Sequence, residues 1–331
     1  MNLNVNILGI ESTAHTFGIG IVTDKGKILA NAKDSYSSAD AGMIPDKVAE
    51  HHQQVKAKVL DLALKEADIG LNEIDYIAYS AGPGIDPCLW VGYNFAKELS
   101  KKISKPLIAV NHCAAHLSIG KLWNELTEPV YLYVSGVNTQ VVIEEIVAGK
   151  SKYGKSKYLI LGETLDIGLG NMLDKLGRAL GIGFPAGPKV EELAKKGKYL
   201  ELPYVVKGMD VSFSGILTKV QQLYQRKQAG QEDICFSVQE TCFAMVTEVS
   251  ERALAHTGKK ELVLIGGVGA NKRFCEMLNI MCQQRKAQFY NVPMELAGDQ
   301  GAMIAWEGFL RKEQYGDEVV KPYWRVDEVG K

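Results

Sequence analysis

The chain has six cysteines, and no two of them stand as CxxC; they fall at 88, 113, 235, 242, 275 and 282. Nothing therefore reads as a paired-cysteine metal or redox motif, and the pattern fits reduced, mostly buried thiols in a cytoplasmic protein. A run of 18 apolar residues is missing, so no membrane span is expected. The N-terminus, MNLNVNILGI, lacks a basic region and has only a short apolar run, and it reads as a first strand and not as a signal peptide. An excess of charge is missing too: 38 basic side chains face 39 acidic ones, a net of −1. That balance does not announce nucleic acid, so an RNA ligand would need a local patch or a partner protein. GxxxxGK[ST] does not occur, which excludes a P-loop NTPase. HxxxH at His112 and His116 has Cys113 where zinc proteases carry their glutamate, so a protease would lack its general base.

A length of 331 residues exceeds one ordinary core and predicts two domains. The chain opens with a meander: strands over Val5–Ile10, Phe17–Val22 and Lys27–Ala32, with a hairpin turn at Asp24–Gly26. Ile44–Ala67 follows at helical spacing, with His51 and His52 on a face that reads as solvated. A buried strand over Ile74–Ser80, a helix over Leu89–Ile103, a strand over Leu107–Val110 and a helix bearing the two histidines come next. Then the meander pattern returns, as Tyr131–Val134, Gln140–Val147 and Tyr158–Leu161, with a basic hairpin loop over Gly149–Lys157. Two meanders followed by helices suggest an internal duplication of domain size. The second half continues with helices over Gly168–Gly181, Lys189–Lys196 and Ile234–His256, and a helix through Tyr224 after the polar loop Asp210–Gly215. Strands over Leu262–Ile265 and Phe289–Val292 and a final helix over Ala302–Arg311 complete it.

Residues four apart on a helix share a face, so His112 and His116 can point at one centre and supply half of a metal site. The alternative is one hydrogen-bonded packing histidine and one solvated one. Three turns have the small and hydroxyl residues that let backbone N–H groups approach phosphate: Glu11–Thr13 with Thr16, Ser135–Thr139, and Gly266–Asn271. Each reads equally as a plain strand–helix corner. Asp174 and Glu191 flank the loop GFPAGP, as a pair for ribose hydroxyls or as surface charge. Asp299 stands at a helix start, as a hard oxygen ligand or as an N-cap.

Ten segments, ILGIESTAHT, AEHH, AGPG, VNHCAAH, YVSGVNTQ, GETLDIGLGN, GFPAGP, DVSFSG, GGVGAN and GDQGAMIA, stand in the order found in one family. Over nearly its whole length the chain resembles the TsaD family of tRNA threonylcarbamoyladenosine synthesis proteins, in the archaeal and eukaryotic form that is the catalytic subunit of the KEOPS complex. The resemblance implies an α/β actin-like ATPase (ASKHA) fold: two ribonuclease H-like domains with a nucleotide cleft between them. The first would cover 1–125, completed by the C-terminal helix in 302–331, and the second 126–301. It implies transfer of a threonylcarbamoyl group from threonylcarbamoyl-AMP to the N6 amine of the adenosine 3′ to the anticodon in ANN-decoding tRNAs. It also implies that His112, His116 and Asp299 are the catalytic residues and hold one Fe2+ or Zn2+, with Tyr133 near or on the metal. Tyr133, Val134, Ser135, Gly136 and Val137 would line the site for ATP or the acyl-adenylate, with Mg2+ as a companion ion. Asp174, Gly187 and Glu191 would contact the ribose region, and Asn271 the adenine or phosphate. The implied partners are tRNA and three KEOPS subunits: a small kinase/ATPase, a dimerising subunit and an accessory subunit.

The chain departs from the family pattern in places. SGGNT reads Ser135–Thr139 with Val137 for a glycine, which predicts a loss of positive-φ freedom there. GDNGAMIA has Gln300 for the asparagine, PGGP has Ala186, and Leu89-Trp90-Val91 lacks an arginine. Two other readings compete. A small-molecule kinase of the same fold would want magnesium, which leaves the histidine pair unexplained. A non-catalytic nucleotide-binding scaffold is prompted by Val137 and Gln300. Lys150, Lys152, Lys155, Lys157, Lys272 and Arg273 are candidate phosphate contacts for RNA, with solvated loops as the alternative.

Overall fold

The computed structural model describes residues 5–37, 44–146, 156–314 and 319–330. Its elements run β1 (Asn6–Glu11), β2 (Thr16–Thr23), β3 (Ile28–Ser35), α1 (Pro45–Ala67), β4 (Tyr76–Gly82), α2 (Asp86–Ile103), β5 (Leu107–Asn111) and α3 (His112–Trp123). They continue as β6 (Val130–Val134), β7 (Thr139–Ile146), β8 (Ser156–Glu163), α4 (Leu169–Leu180), α5 (Gly187–Ala194), β9 (Val206–Lys207), β10 (Asp210–Val211) and α6 (Ser214–Gln225). The last are α7 (Gln231–Thr257), β11 (Glu261–Ile265), α8 (Lys272–Gln284), β12 (Gln288–Asn291), α9 (Met294–Ala297) and α10 (Gly301–Leu310). They form two compact units: Met1–Leu122 with Glu145–Tyr158 and Gly298–Lys331, and Trp123–Glu144 with Leu159–Ala297. Lys150, Lys152 and Lys155 of the expected basic hairpin loop lie outside the described residues.

In the first unit the sheet order is β3-β2-β1-β4-β5. The meander pairs are antiparallel, whereas β4 runs parallel to β1 and β5 parallel to β4. Side chains alternate across a strand, so β1 feeds two cores. Leu8 and Ile10 pack on the face covered by α1 and α2, and Ile7 packs with Ala115 and Ile119 of α3 and the apolar run of α10. A sheet covered on both faces needs apolar residues on both, and β2 is accordingly buried along its whole length. Helix α1 starts with proline in its first turn and stops where Asp68 turns left-handed, at φ 54°.

The second sheet has the order β12-β11-β6-β7-β8. β6 and β7 are antiparallel, and β11 runs parallel to both β6 and β12. A meander followed by two parallel strands thus occurs twice in the chain, with the same strand order. Helix α7 has buried residues from Ile234 to Leu254 on most of its sides, and Val238, Phe243 and Val246 sit in the core with Leu132 of β6 and Leu264 of β11. The polar loop expected over Asp210–Gly215 contains half of a two-residue hairpin, β9–β10, that turns at Gly208 with φ 63°. Such short elements leave no periodic trace in a sequence.

A buried histidine–histidine–aspartate group and the turns of the second sheet

β5 ends at Asn111, and α3 begins on the next residue. The Ala114 N–H donates to Asn111 Oδ1 at 3.0 Å, a side-chain cap on the first turn of α3. The Asn111 amide in turn donates to the Trp324 carbonyl at 3.0 Å, so the C-terminal segment holds this junction. His112 opens α3 and His116 follows one turn later, with ring centroids 4.7 Å apart. Asp299 comes from just before α10. That helix lies directly on the sheet backbone: a Cβ on Gly301 would come within 2.0 Å of Gly20 N, and one on Gly20 within 2.1 Å of Ala302 N. Gln300 caps α10, its side-chain oxygen accepting from Met303 N–H at 3.0 Å. The result places Asp299 Oδ1 at 3.4 Å from His116 Nε2 and 3.6 Å from His112 Nε2. One ligand atom from each of the three residues lies within 4.8 Å of the others.

Burial opposes charge on both histidines, with opposite outcomes. At His112 it is outweighed by the charge and hydrogen bond of Glu11 and by Asp299, which bring the ring up to about 9. At His116 burial wins over the Asp299 hydrogen bond, and the ring is pushed down. Burial works upward on Asp299, but the His116 hydrogen bond and the two imidazoles hold it well below the usual carboxylate range. Two imidazoles and one carboxylate suit zinc or ferrous iron and leave coordination positions open. The residues present fit such an ion.

Several donors of the Glu11–Thr13 turn, which the sequence offers as a phosphate cradle or as a plain corner, bond within the protein. Thr13 N–H and Oγ1–H both donate to Glu11 Oε1, at 2.6 and 2.5 Å, and the Ser12 N–H donates to Ser80 Oγ at 3.0 Å. Thr16 Oγ1 pairs with Ser35 Oγ at 3.1 Å. The buried Ser12 hydroxyl has no hydrogen-bond partner among the described residues, and the turn also aims Glu11 at His112, with Oε2 at 3.0 Å from Nδ1. Sequence reasoning missed this role; the only signal was a carboxylate at the end of an otherwise apolar strand. The solvated face expected for His51 and His52 is also corrected. His52 is fully buried, and its Nε2–H donates to the Ala14 carbonyl at 2.9 Å. His51 is half-buried against Asp34.

The second unit holds the other expected residues. Tyr133 and Val134 are buried on β6, whereas Gly136 and Val137 are exposed in the following turn. Ser135 N–H donates to Asn138 O and Asn138 N–H to Ser135 Oγ, and α4 docks on the turn through Gly170 N–H to Ser135 O and Asn171 N–H to Gly136 O. Val137 is not among the residues with positive φ, so the side chain strains nothing and points to solvent at 71% exposure. Asp174 Oδ1 accepts from Ala186 N–H at 3.0 Å, and Glu191 Oε1 from Lys272 N–H at 2.9 Å. The first bond ties Asp174 to the start of α5, and the second ties Glu191 of α5 to the start of α8, where Asn271 caps Phe274 N–H and donates to Gln239. Ala186, the departure from PGGP, fits because its methyl lies over Gly177, where another Cβ would stand 2.3 Å away. Arg273 is paired within the protein: Glu240 holds it through two bonds at 2.8 Å and Glu276 through one at 2.6 Å.

Two β-meander sheets with these helices define an actin-like ATPase (ASKHA) fold. HypF of Thermococcus kodakarensis superposes over 94% of this chain with a TM-score of 0.62 at 16% identity, and the chain spans 48% of that protein. The (R)-2-hydroxyglutaryl-CoA dehydratase component A of Acidaminococcus fermentans gives a TM-score of 0.54 at 14% identity, over 93% of this chain and 99% of that one. Within that fold, the model of the family described as TsaD, tRNA N6-adenosine threonylcarbamoyltransferase, matches residues 27–306, and the chain belongs to this family. The tRNA N6-adenosine threonylcarbamoyltransferase of Thermofilum pendens is 48% identical over 98% of this chain and 96% of its own length. A probable bifunctional tRNA threonylcarbamoyladenosine biosynthesis protein of Methanocaldococcus jannaschii is 47% identical over 97% of this chain, which spans 59% of that relative. Among the described residues no helix is long and apolar enough to cross a membrane.

Proposed function

We propose that this protein transfers a threonylcarbamoyl group to the N6 amine of an adenosine in tRNA. The observation that carries the proposal is near-half identity, over almost the full length, to enzymes named for that transfer, together with the intact His112–His116–Asp299 group. The acceptor is the adenosine 3′ to the anticodon in ANN-decoding tRNAs, and the donor is threonylcarbamoyl-AMP. An exocyclic adenine amine is a poor nucleophile, because its lone pair is delocalised into the ring. The donor is a mixed anhydride and already activated. The protein therefore has to orient the two and stabilise charge on the carbonyl oxygen.

His112, His116 and Asp299, with Tyr133 near or on the ion, hold iron or zinc, which when bound polarises the transferring carbonyl or the phosphate. Tyr133–Val137 line the acyl-adenylate. Asp174, Gly187 and Glu191 receive its ribose, and Asn271 meets the adenine or phosphate. The two units correspond to two ribonuclease H-like domains. The protein works in the cytoplasm with a small kinase/ATPase, a dimerising subunit and an accessory subunit of a KEOPS-type complex. The M. jannaschii relative is longer and is named as bifunctional in threonylcarbamoyladenosine biosynthesis, which supports a companion activity beside the transfer.

The test is a transfer assay with the assembled complex, threonylcarbamoyl-AMP and an ANN-decoding tRNA, with the modified nucleoside measured by mass spectrometry. The parent protein should form product, and His112→Ala should lose on the order of 10²–10³-fold in rate. Equal product from both would move the chemistry away from the histidine pair.

A further inference from the structure

We propose that Glu11 is the positioning residue of the metal centre: it fixes the His112 ring with the proton on Nδ1, so that Nε2 is the atom offered to the ion. This rests on the metal reading of His112, His116 and Asp299. Glu11 is fully buried at the end of β1, and its Oε2 lies 3.0 Å from His112 Nδ1. An ionised carboxylate accepts and cannot donate, so the contact requires an N–H at Nδ1. The Thr13 hydroxyl also lies near Nδ1, at 3.1 Å. Its single proton is given to Glu11 Oε1 at 2.5 Å, so it turns a lone pair toward the ring. Both neighbours of Nδ1 are therefore acceptors. The opposite tautomer would set the Nδ1 lone pair against two others and aim an N–H at the place of the ion.

The carboxylate itself has little freedom to turn. Oε1 takes two donors from Thr13, the N–H at 2.6 Å and the hydroxyl, and these fix its plane. With Nδ1 committed, His112 presents Nε2 toward Asp299, as His116 does, at 3.6 and 3.4 Å. Both imidazoles thus offer the same nitrogen to one point. A carboxylate behind a ligating histidine also makes the ring a stronger donor, and losing such a partner typically lowers metal affinity 10–100-fold.

Two measurements test this. In the first, wild-type protein and Glu11→Gln are titrated with Zn2+ against a chromogenic chelator, and the metal-free forms are melted. Glutamine keeps the shape but puts an N–H where one of three donors now finds an acceptor. The expected result is about 10–100-fold weaker zinc binding by a variant that still melts cooperatively. The second reads the wild-type protein itself: long-range 1H–15N spectra of the zinc-loaded form, with the His112 signals assigned by their loss in a folded His112→Gln. Nδ1 should be protonated and Nε2 metal-bound. Zinc on Nδ1, or unchanged affinity in Glu11→Gln, would overturn the inference alone. Failure of the wild-type protein to bind zinc or iron would sink the metal reading and this inference with it.

Discussion

His52 ends a relay of side chains that reaches the turn carrying Glu11. Its Nε2–H holds the Ala14 carbonyl, its Nδ1 faces His51 Nδ1 at 3.3 Å, and His51 Nε2 faces Asp34 on β3 at 3.0 Å. Burial, with the neighbouring His51 and His15 charges acting the same way, pushes His52 down from 6.5 to about 4, against the Ala14 hydrogen bond and Glu11. The fold thus refuses a proton that the unfolded chain accepts. Between pH 6.5 and about 4 the unfolded state binds more protons, so the stability present above 6.5 is lost as pH falls through that window. The gap corresponds to about 3 kcal/mol. Urea unfolding of wild-type protein and His52→Gln, from pH 7.5 to 4, isolates the effect, since glutamine keeps an N–H for Ala14 and does not titrate. The wild-type protein should lose about 3 kcal/mol more than the variant over this range; superimposable acid limbs would show that His52 is not a stability sensor.

Among the elements, α10 decides where Asp299 stands. The run after Asp299, Gly301 to Ala305, reads in sequence as a helix start with small residues. That the smallness serves contact with Gly9 and Gly20 was not legible, because the partners lie some 280 positions away and a glycine in a strand gives no hint of what approaches it. The histidine pair, by contrast, was legible in full. Its spacing is local, and helix periodicity alone brings the two rings to one face. The Glu11–Thr13 turn was only partly legible for a related reason: its donors are numerous, but sequence does not show that Thr13 gives two of them to Glu11. Replacing Gly301 with alanine should push α10 off the strands, since the new Cβ would enter the 2.0 Å space to Gly20 N. Overpacking of this kind typically costs about 1–3 kcal/mol and occasionally more. Gly301→Ala should melt lower and bind zinc more weakly. Gly298→Ala, where nothing lies within 4 Å of the added carbon, should do neither. A wild-type melting temperature and zinc affinity for Gly301→Ala would show that the helix can shift without carrying Asp299 with it.

At the scale of the whole molecule the open question is how a chain with net charge −1 meets tRNA. Arginine is the side chain best shaped to grip phosphate through paired bonds. Five of the seven arginines in the sequence, Arg252, Arg273, Arg285, Arg311 and Arg325, are engaged with carboxylates of the protein itself. Arg311 is buried in its pair with Glu307, and Arg273 is paired with two glutamates. Breaking such pairs to reach a phosphate would return little, because one charged contact is exchanged for another. Binding that depends on few phosphates also has a shallow salt dependence, near −0.7 to −0.9 in log–log slope for each phosphate neutralised. The protein alone should therefore bind an ANN-decoding tRNA weakly, in the roughly 10⁻⁴–10⁻⁶ M range of non-specific contacts, with a slope of only a few units between 50 and 200 mM salt. Assembly with the proposed KEOPS-type subunits should tighten binding and steepen the slope. Alanine at Lys150, Lys152, Lys155 and Lys157 together should flatten what slope the single chain has. Submicromolar binding with a steep slope by the chain alone, lost in the lysine variant, would instead place the RNA grip on this protein and make the partners' contribution one of activation and not of capture.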